Sequence, residues 1–371
     1  MKTLLAMTSM MLCFSLTAVC EAQQRQLTFE MILEREDTNN DGKISREEYK
    51  GPGRLFQRLD QDKDDILTKK EFDAARARFN GMNRQGNNPN RQGNAPTDVD
   101  VHRDVVFGTG GGRDLKMHIV TPKNKAAKPA PVYVWIHGGG WMGGTKEGGV
   151  RQVVPVVRQG FVGATIEYRL TGEAPFPAQI EDCKCAIRFL RAHAEEYNID
   201  PNRIAVGGSS AGGHLVALLG TSGGVKELEG QGGWADQSST VQAVIDLFGP
   251  TDFKAFVSEP GYEHHNKANS PESRLLGGGE VLPNTEGIKR VNPITYIDAQ
   301  DPPFLIIHGT QDRTVPLNQS ELLNEALTKV GVSVKLHKIE GAGHGGPDFS
   351  KPEINDMKLE FLKAQFFSDK E

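Results

Sequence analysis

From residue 102 onward the chain alternates short apolar runs with amphipathic stretches, and few folds accept that alternation. The runs DVVFG, LKMHIVTP, VYVWIHGGG, FVGATIEYRL, RIAVGGSS, AVIDLFGP, PFLIIHG and VKLHKIE have strand length. Between them helical periodicity appears at about 147–158, 178–197, 211–220, 317–330 and 352–367. Strand and helix in turn imply a mostly parallel sheet with helices on both faces. Ligands bind such sheets at the carboxyl ends of the strands, so the residues that follow each run are where function is to be sought.

The rest of the chain divides from this half by composition. A length of 371 residues suggests two or more domains, one large and one small. The opening MKTLLAMTSMMLCFSLTAVCEAQQ has one Lys, a short apolar run and a small-residue exit, the pattern of a secretory signal over 1–22 cleaved after Ala22. The run is too short for a membrane anchor, so no stable membrane insertion is expected after cleavage, and Val19 argues against lipid attachment at Cys20. The implied location is secreted or periplasmic. Residues 24–80 are helix-like, 81–97 read GMNRQGNNPNRQGNAPT, and 98–371 form the alternating half. The middle segment has too little apolar surface to fold and is expected to be a flexible linker. A net charge of −5 gives no basic excess to neutralise phosphates, which excludes nucleic acid as a partner class. Cys13 and Cys20 leave with the signal; Cys183 and Cys185, two apart on a helical pattern, point apart and are expected to be free thiols.

Two acidic loops lie in the small domain. DTNNDGKISREE places Asp37, Asn39 and Asp41 at loop positions one, three and five, Gly42 at six, the Lys43 carbonyl at seven, Ser45 at nine and Glu48 at twelve. A hard cation that needs about seven oxygens is served by that spacing. DQDKDDILTKKE repeats it with Asp60, Asp62, Asp64, the Ile66 carbonyl, Thr68 and Glu71. Asp65 stands where glycine is expected, and a left-handed backbone there is tolerable for Asp but strained. Phe29, Ile32 and Leu33 mark an entering helical face, Glu47 and Tyr49 an exiting helix, and Ile44 and Leu67 are placed to pair as a two-stranded bridge. Residues 28–80 resemble EF-hand pairs, which implies calcium as a structural cofactor. The linker implies that this domain stabilises or tethers its neighbour rather than switching it.

In the large domain VGGSSAGGH contains G-x-S-x-G at Gly208, Ser210 and Gly212. Alone it means little, since roughly 0.2 matches arise by chance over this length. Its context is a strand followed by a helix, which this motif requires and which forces Ser210 into a strained, exposed turn. Ser209 points aside as a turn filler. IHGGGW ends an earlier strand, and the N–H groups of Gly139 and Gly140 with that of Ala211 are candidates for holding an oxyanion. The expected chain order of acid and base places Asp312, just past LIIHGTQ, and His344, in the loop GAGHGG, as partners of Ser210. Asp252 is the alternative acid. His137 and His308 sit at strand ends and are expected to brace loops, His214 points along the serine's helix, and His264 and His265 are expected to be solvated.

Residues 102–368 resemble the α/β-hydrolase fold. HGGGW with GGSSAGGH is similar to the hormone-sensitive-lipase-like esterases, although Ser209 stands where many of them have Asp. EYRL, APFPAQIEDCKCAIRFLRAH, NPITYI and DPPFLIIHGTQDRTVP look closer to bacterial carboxylesterases that remove acetyl or feruloyl groups from xylan. The resemblance implies an exported serine carboxylesterase acting on a small-molecule or polysaccharide-linked ester with no cofactor in catalysis. Its acyl and alcohol pockets are expected from 221–240 and 251–300. An arylformamidase-like amide hydrolase, a peptidase, or a calcium-dependent binding module with an inactive hydrolase domain are the alternatives.

Overall fold

A computed structural model describes residues 98–124 and 126–367, and in the N-terminal part residues 29, 33, 36–39, 41–49, 56, 59, 60 and 62–74. The signal segment 1–22 and the linker 81–97 lie outside the described residues. The chain divides into two units, Met1–Ala95 and Pro96–Glu371.

In the first unit the described residues form a small apolar cluster of Phe29, Ile44, Tyr49, Phe56, Leu59, Leu67 and Phe72, with Leu33 packed against it. The short strands β1 (Ile44–Ser45) and β2 (Ile66–Leu67) pair antiparallel, with Ile44 opposite Leu67, so the bridge expected between the two acidic loops forms. Residues 46–48 form a turn closed by the Tyr49 N–H on the Ser45 carbonyl where an exiting helix was expected.

The second unit is built on an eight-stranded sheet in the order β10-β9-β8-β7-β5-β6-β4-β3. These strands are β3 (Val99–Gly110), β4 (Arg113–Pro122), β5 (Ala130–Ile136), β6 (Val162–Ile166), β7 (Ile199–Ser209), β8 (Ala243–Leu247), β9 (Phe304–Gly309) and β10 (Val334–Ile339). The two pairings at the β3 edge are antiparallel; β6, β5, β7, β8, β9 and β10 run parallel. Strands β5, β6, β8 and β9 are buried along their whole length, as parallel strands covered on both faces must be. Two apolar layers result. One holds Trp141, Ile187, Leu190, Leu215 and Leu219; the other holds Val153, Val157, Phe161, Leu362 and Phe366. Each such side chain, fully buried, contributes about 1.5–3 kcal/mol.

The helices are α1 (Val150–Val157), α2 (Ala178–Ala192), α3 (Ala211–Thr221), α4 (Phe253–Ser258), α5 (Pro271–Leu275), α6 (Thr285–Val291), α7 (Asn318–Lys329) and α8 (Pro352–Phe366), with a further single turn at Ala194–Tyr197. The stretch 147–158 is divided between a 3-10 turn at Lys146–Gly149 and α1. Helices α4, α5 and α6 fill the connection between β8 and β9, where no helical periodicity was read; each begins at a side chain that accepts from the backbone, Asp252, Ser270 and Asn284 respectively. Cys183 and Cys185 are buried and free, as expected. Among the described residues no helix is long and apolar enough to cross a membrane.

Candidate active site

The turn between β7 and α3 places Ser210 at φ 56 and ψ −121, the strained conformation that G-x-S-x-G predicts. The two motif glycines are dictated by proximity. A Cβ on Gly208 would stand 2.4 Å from the Gly212 carbonyl oxygen, and one on Gly212 would stand 2.2 Å from that of Ile136. Strand β5, strand β7 and helix α3 therefore meet backbone to backbone beneath the serine. The Ser210 N–H donates to the Leu247 carbonyl at the end of β8, and the His214 N–H to the Ser210 carbonyl.

His344 and Asp312 come to this serine from two later loops. His344 Nε2 lies 2.9 Å from Ser210 Oγ, and its Nδ1 lies 2.6 Å from Asp312 Oδ2. A carboxylate only accepts, so the Nδ1 proton faces Asp312 and Nε2 is left to accept from the hydroxyl. Asp312 Oδ1 accepts from the Thr314 and Val315 N–H groups at 2.8 and 3.0 Å. Burial opposes ionisation of Asp312, but hydrogen bonds from His308 and His344 outweigh it and hold its carboxyl well below the usual carboxylate range. The Phe248 ring packs edge-on to the His344 imidazole with centroids 4.6 Å apart.

Gly139, Gly140 and Ala211 line the same open cleft as Ser210 and His344, which measures about 1350 Å³. Gly139 and Gly140 adopt φ of 121 and 59, reached at low cost by glycine, and the Met142 and Gly143 N–H groups close the loop on the Gly139 carbonyl.

The rival residues are used elsewhere. Ser209 pairs with Leu247 in the sheet register. Asp252 caps α4 through the Ala255 N–H and accepts from Asn292. His214 is fully buried with Nε2 2.8 Å from the Val291 carbonyl, and His137 holds the Gly138 carbonyl with its Nδ1. His308 braces its loop as expected and also touches the acid: Nδ1 meets Ser320 Oγ, while Nε2 lies 3.0 Å from the Val315 carbonyl and 3.2 Å from Asp312 Oδ2. That contact was missed, though its four-residue spacing in HGTQD was visible.

Two expectations are corrected. His265 is not solvated; it is 7% exposed and its Nδ1 lies 2.8 Å from Glu272, itself buried, because α5 folds back over the turn that carries it. Residues 221–240 do not line the cleft, and 251–300 supplies only His265, Pro271 and Glu272. Gly232 of the first segment instead lies against Cys185, and the Trp234 indole N–H donates to the Phe107 carbonyl, away from the serine. Much of the wall comes from α1 and α8, including Gln152, Val156, Leu359 and Leu362.

In the first unit, loop two brings oxygens of Asp60, Asp62 and Glu71 within 4.8 Å of one another. Asp62 is raised from its ordinary value by desolvation and then by the charges of Asp64, Glu71 and Asp60. Asp65 and Gly42 both take φ near 60–80, so Asp65 does adopt the left-handed backbone the loop demands. The Ile66 N–H donates to Asp64. In loop one Asp37 accepts from the Gly42 N–H, Asn39 from that of Asp41, and Asp41 from that of Lys43. Glu48 reaches back to Thr38, Asn39 and Ser45, and hydrogen bonds from Ser45 first and then Thr38 bring its carboxyl down to about 2. Asp37 Oδ1 is buried and has no hydrogen-bond partner among the described residues. An orphaned carboxylate oxygen in loop one and three clustered carboxylates in loop two fit a hard cation.

Comparison with known proteins follows the same lines. The BD-FAE family profile matches residues 117–327, more than half of the chain. The chain belongs to the BD-FAE family. Esterase LipC of Mycobacterium tuberculosis is 31% identical over 233 residues, 60% of this chain and 55% of LipC. The chain spans about half the length of the curated relatives it matches. Among solved structures, a truncated carbohydrate esterase from gut microbiota superposes with a TM-score of 0.64 at 30% identity, covering 73% of this chain and 98% of that one. The esterase of the planctomycete Thermogutta terrifontis in its propionate-bound form gives a TM-score of 0.60 at 29% identity, covering 74% and 97%. The profile match falls within Pro96–Glu371, the unit that carries the eight-stranded sheet, and the solved structures it resembles are esterases with an α/β-hydrolase fold.

Proposed function

We propose that this BD-FAE family member is a secreted serine carboxylesterase that hydrolyses short-chain or aromatic esters, of acetyl or feruloyl type, on plant polysaccharide. The observation that carries the reading is the unbroken hydrogen-bond chain from Asp312 through His344 to Ser210. Ser210 Oγ attacks the ester carbonyl while His344 Nε2 takes its proton, and Asp312 stabilises the imidazolium and holds its tautomer. The N–H groups of Gly139, Gly140 and Ala211 receive the oxyanion. Collapse expels the alcohol, which takes the proton from His344 and leaves an acyl-enzyme on Ser210. Water activated by His344 then releases the acid and regenerates the hydroxyl. The carbohydrate esterase likeness favours a sugar alcohol, and the propionate-bound likeness a short acyl group.

Asp37, Asn39, Asp41, the Lys43 carbonyl and Glu48, and Asp60, Asp62, Asp64, the Ile66 carbonyl and Glu71, would hold calcium, which orders the loops and supplies no step of catalysis. The segment 1–22 directs export.

The test is turnover of nitrophenyl esters of increasing chain length, acetylated xylan and methyl ferulate by wild type, Ser210→Ala and Ser209→Ala. Ser210→Ala is expected to lose activity by roughly a millionfold, as triad serines do, while Ser209→Ala keeps substantial activity. A dead Ser209→Ala beside an active Ser210→Ala refutes the assignment, and failure of wild type on every ester refutes the function.

A further inference from the structure

Beside the glycine loop the cleft is walled by Pro271 and Glu272 at the start of α5 and by His265 from the preceding turn. Pro271 packs directly on that loop, since a Cβ on Gly140 would stand 3.3 Å from the Pro271 Cβ. The wall therefore adjoins the place where an ester carbonyl would sit. His265 and Glu272 are 7% and 3% exposed, and their contact runs from Nδ1 to Oε2 at 2.8 Å. Because the carboxylate accepts, the proton lies on Nδ1 and the orientation of the ring is set. The Phe256 ring against it, with centroids 4.5 Å apart, and the Ser270 hydroxyl on the His265 carbonyl fix the residue further. The other ring nitrogen, Nε2, is buried and makes no hydrogen bond among the described residues. Trp141 Nε1, on the adjoining loop and also lining the cleft, is a second buried polar atom in the same condition. Buried polar groups are nearly always paired, and a fixed histidine that ends in a cleft wall without a partner has the form of a recognition point.

We propose that His265 determines specificity by hydrogen-bonding a hydroxyl of the substrate through Nε2, an inference that rests on the esterase reading above. A hydroxyl gives and takes a hydrogen bond, so it pairs with the ring nitrogen in either protonation form. A bare alkyl or aryl group leaves Nε2 unpaired, and a site built around a hydrogen bond rejects ligands that lack it. Polysaccharide esters offer two sources of the group: a sugar hydroxyl next to the esterified one, or a phenol on the acyl half.

Two substrate pairs separate these sources in the full-length protein. One is methyl xyloside 2-acetate against its 3-deoxy counterpart; the other is methyl p-coumarate against methyl cinnamate. In one pair the ratio of kcat/KM, hydroxylated over deoxy, is expected to be about tenfold to hundredfold. The pair that responds names the half of the substrate that His265 reads. That ratio is expected to fall toward one in His265→Phe and to shrink in Glu272→Gln, whose amide no longer obliges the proton to stay on Nδ1. A ratio within one protein is insensitive to how much of it is folded, and where His265→Phe fails to fold, an undiminished ratio in Glu272→Gln overturns the inference in its place. Ratios near one in both pairs for wild type, or a ratio preserved in folded His265→Phe, overturn the inference and leave the esterase reading intact. Absence of turnover on these esters and on nitrophenyl acetate overturns both.

Discussion

Gly212→Ala tests whether the close approach beneath the serine matters to catalysis. An alanine Cβ there would stand 2.2 Å from the Ile136 carbonyl oxygen and 2.7 Å from that of His137, and real Cβ contacts stay beyond 3.0 Å. Both obstacles are backbone at the end of β5, so no side chain can swing away. Helix α3 must retreat from β5 by about 0.8 Å or more. That separation parts Ser210 and Ala211, which ride on α3, from Gly139 and Gly140, which follow β5. A misplacement of about 1 Å costs on the order of 10²-fold in rate, and overpacking of this kind costs about 1–3 kcal/mol in stability. The matched control is Gly148→Ala, where an added Cβ meets nothing within 4 Å. The assay is a burst titration with an activated ester to count competent serines, followed by kcat per titrated site, so that unfolded protein does not enter the comparison. Full kcat per site in Gly212→Ala would refute the reasoning, because the oxyanion donors and the serine would then be indifferent to the spacing of β5 and α3.

Asp312→Asn is expected to lower kcat by up to about 10⁴ through the wrong imidazole tautomer, while Asp252→Asn, a helix cap, should cost stability of about 1 kcal/mol or less and little rate; a reversed order in steady-state kinetics moves the acid. Calcium is expected to protect residues 28–80 from proteolysis, with chelator leaving turnover of a soluble ester within about twofold; loss of activity with chelator that is restored by truncation to Asp98 would make the small unit an inhibitor. Two buried groups set opposing stability slopes with pH. Burial brings His214 down to about 4, so its contribution is complete above pH 6.5 and is lost as pH falls toward 4, about 3 kcal/mol in all. Burial pushes Asp246 up to about 6, so its contribution is complete below pH 3.8 and is lost as pH rises toward 6. In denaturant titrations between pH 4 and 6, Asp246→Asn should make stability rise more steeply with pH than in wild type, by about 1.4 kcal/mol per pH unit; equal slopes in both proteins would refute the assignment.

What the sequence made legible was whatever rests on local pattern. The strands of the parallel sheet are continuous apolar runs because both faces are covered, and the serine's turn is marked by glycines that only backbone contact explains. Asp312 and His344 could be put beside Ser210 because each follows a strand at the carboxyl edge. The connection between β8 and β9 was not legible. Its helices of five to seven residues are too short to show periodicity, and only their caps, Asp252, Ser270 and Asn284, announce them. The His265–Glu272 pair joins one short turn to the next, a contact that spacing of seven residues does not reveal. Nor does a sequence say which helices leave a gap over the sheet, so the contribution of α1 and α8 to the cleft had no signal.

The acid and the histidine are held in different ways, and the difference says where precision resides. Asp312 receives hydrogen bonds from two histidines and two backbone N–H groups, so its position and charge are fixed by the end of β9 and its loop. His344 has one partner on each ring nitrogen and stands on a loop whose Gly341, Gly345 and Gly346 all take positive φ. What places that loop is backbone contact with the loop of the acid. The Gln311 N–H donates to the Ala342 carbonyl, the Gly341 N–H to Thr310 Oγ1, and a Cβ on Gly309 would stand 2.4 Å from the Ala342 carbonyl oxygen. The His344 loop is thus registered on the Asp312 loop independently of the contact with Ser210. The same device recurs on the other side, where Gly212 registers the serine's helix on the strand that leads into the glycine loop. Asp312 with His344, and Ser210 with the glycine loop, are thus each registered by backbone contact, and the two pairs meet at the bond between His344 Nε2 and Ser210 Oγ, the contact across which the proposed mechanism moves a proton.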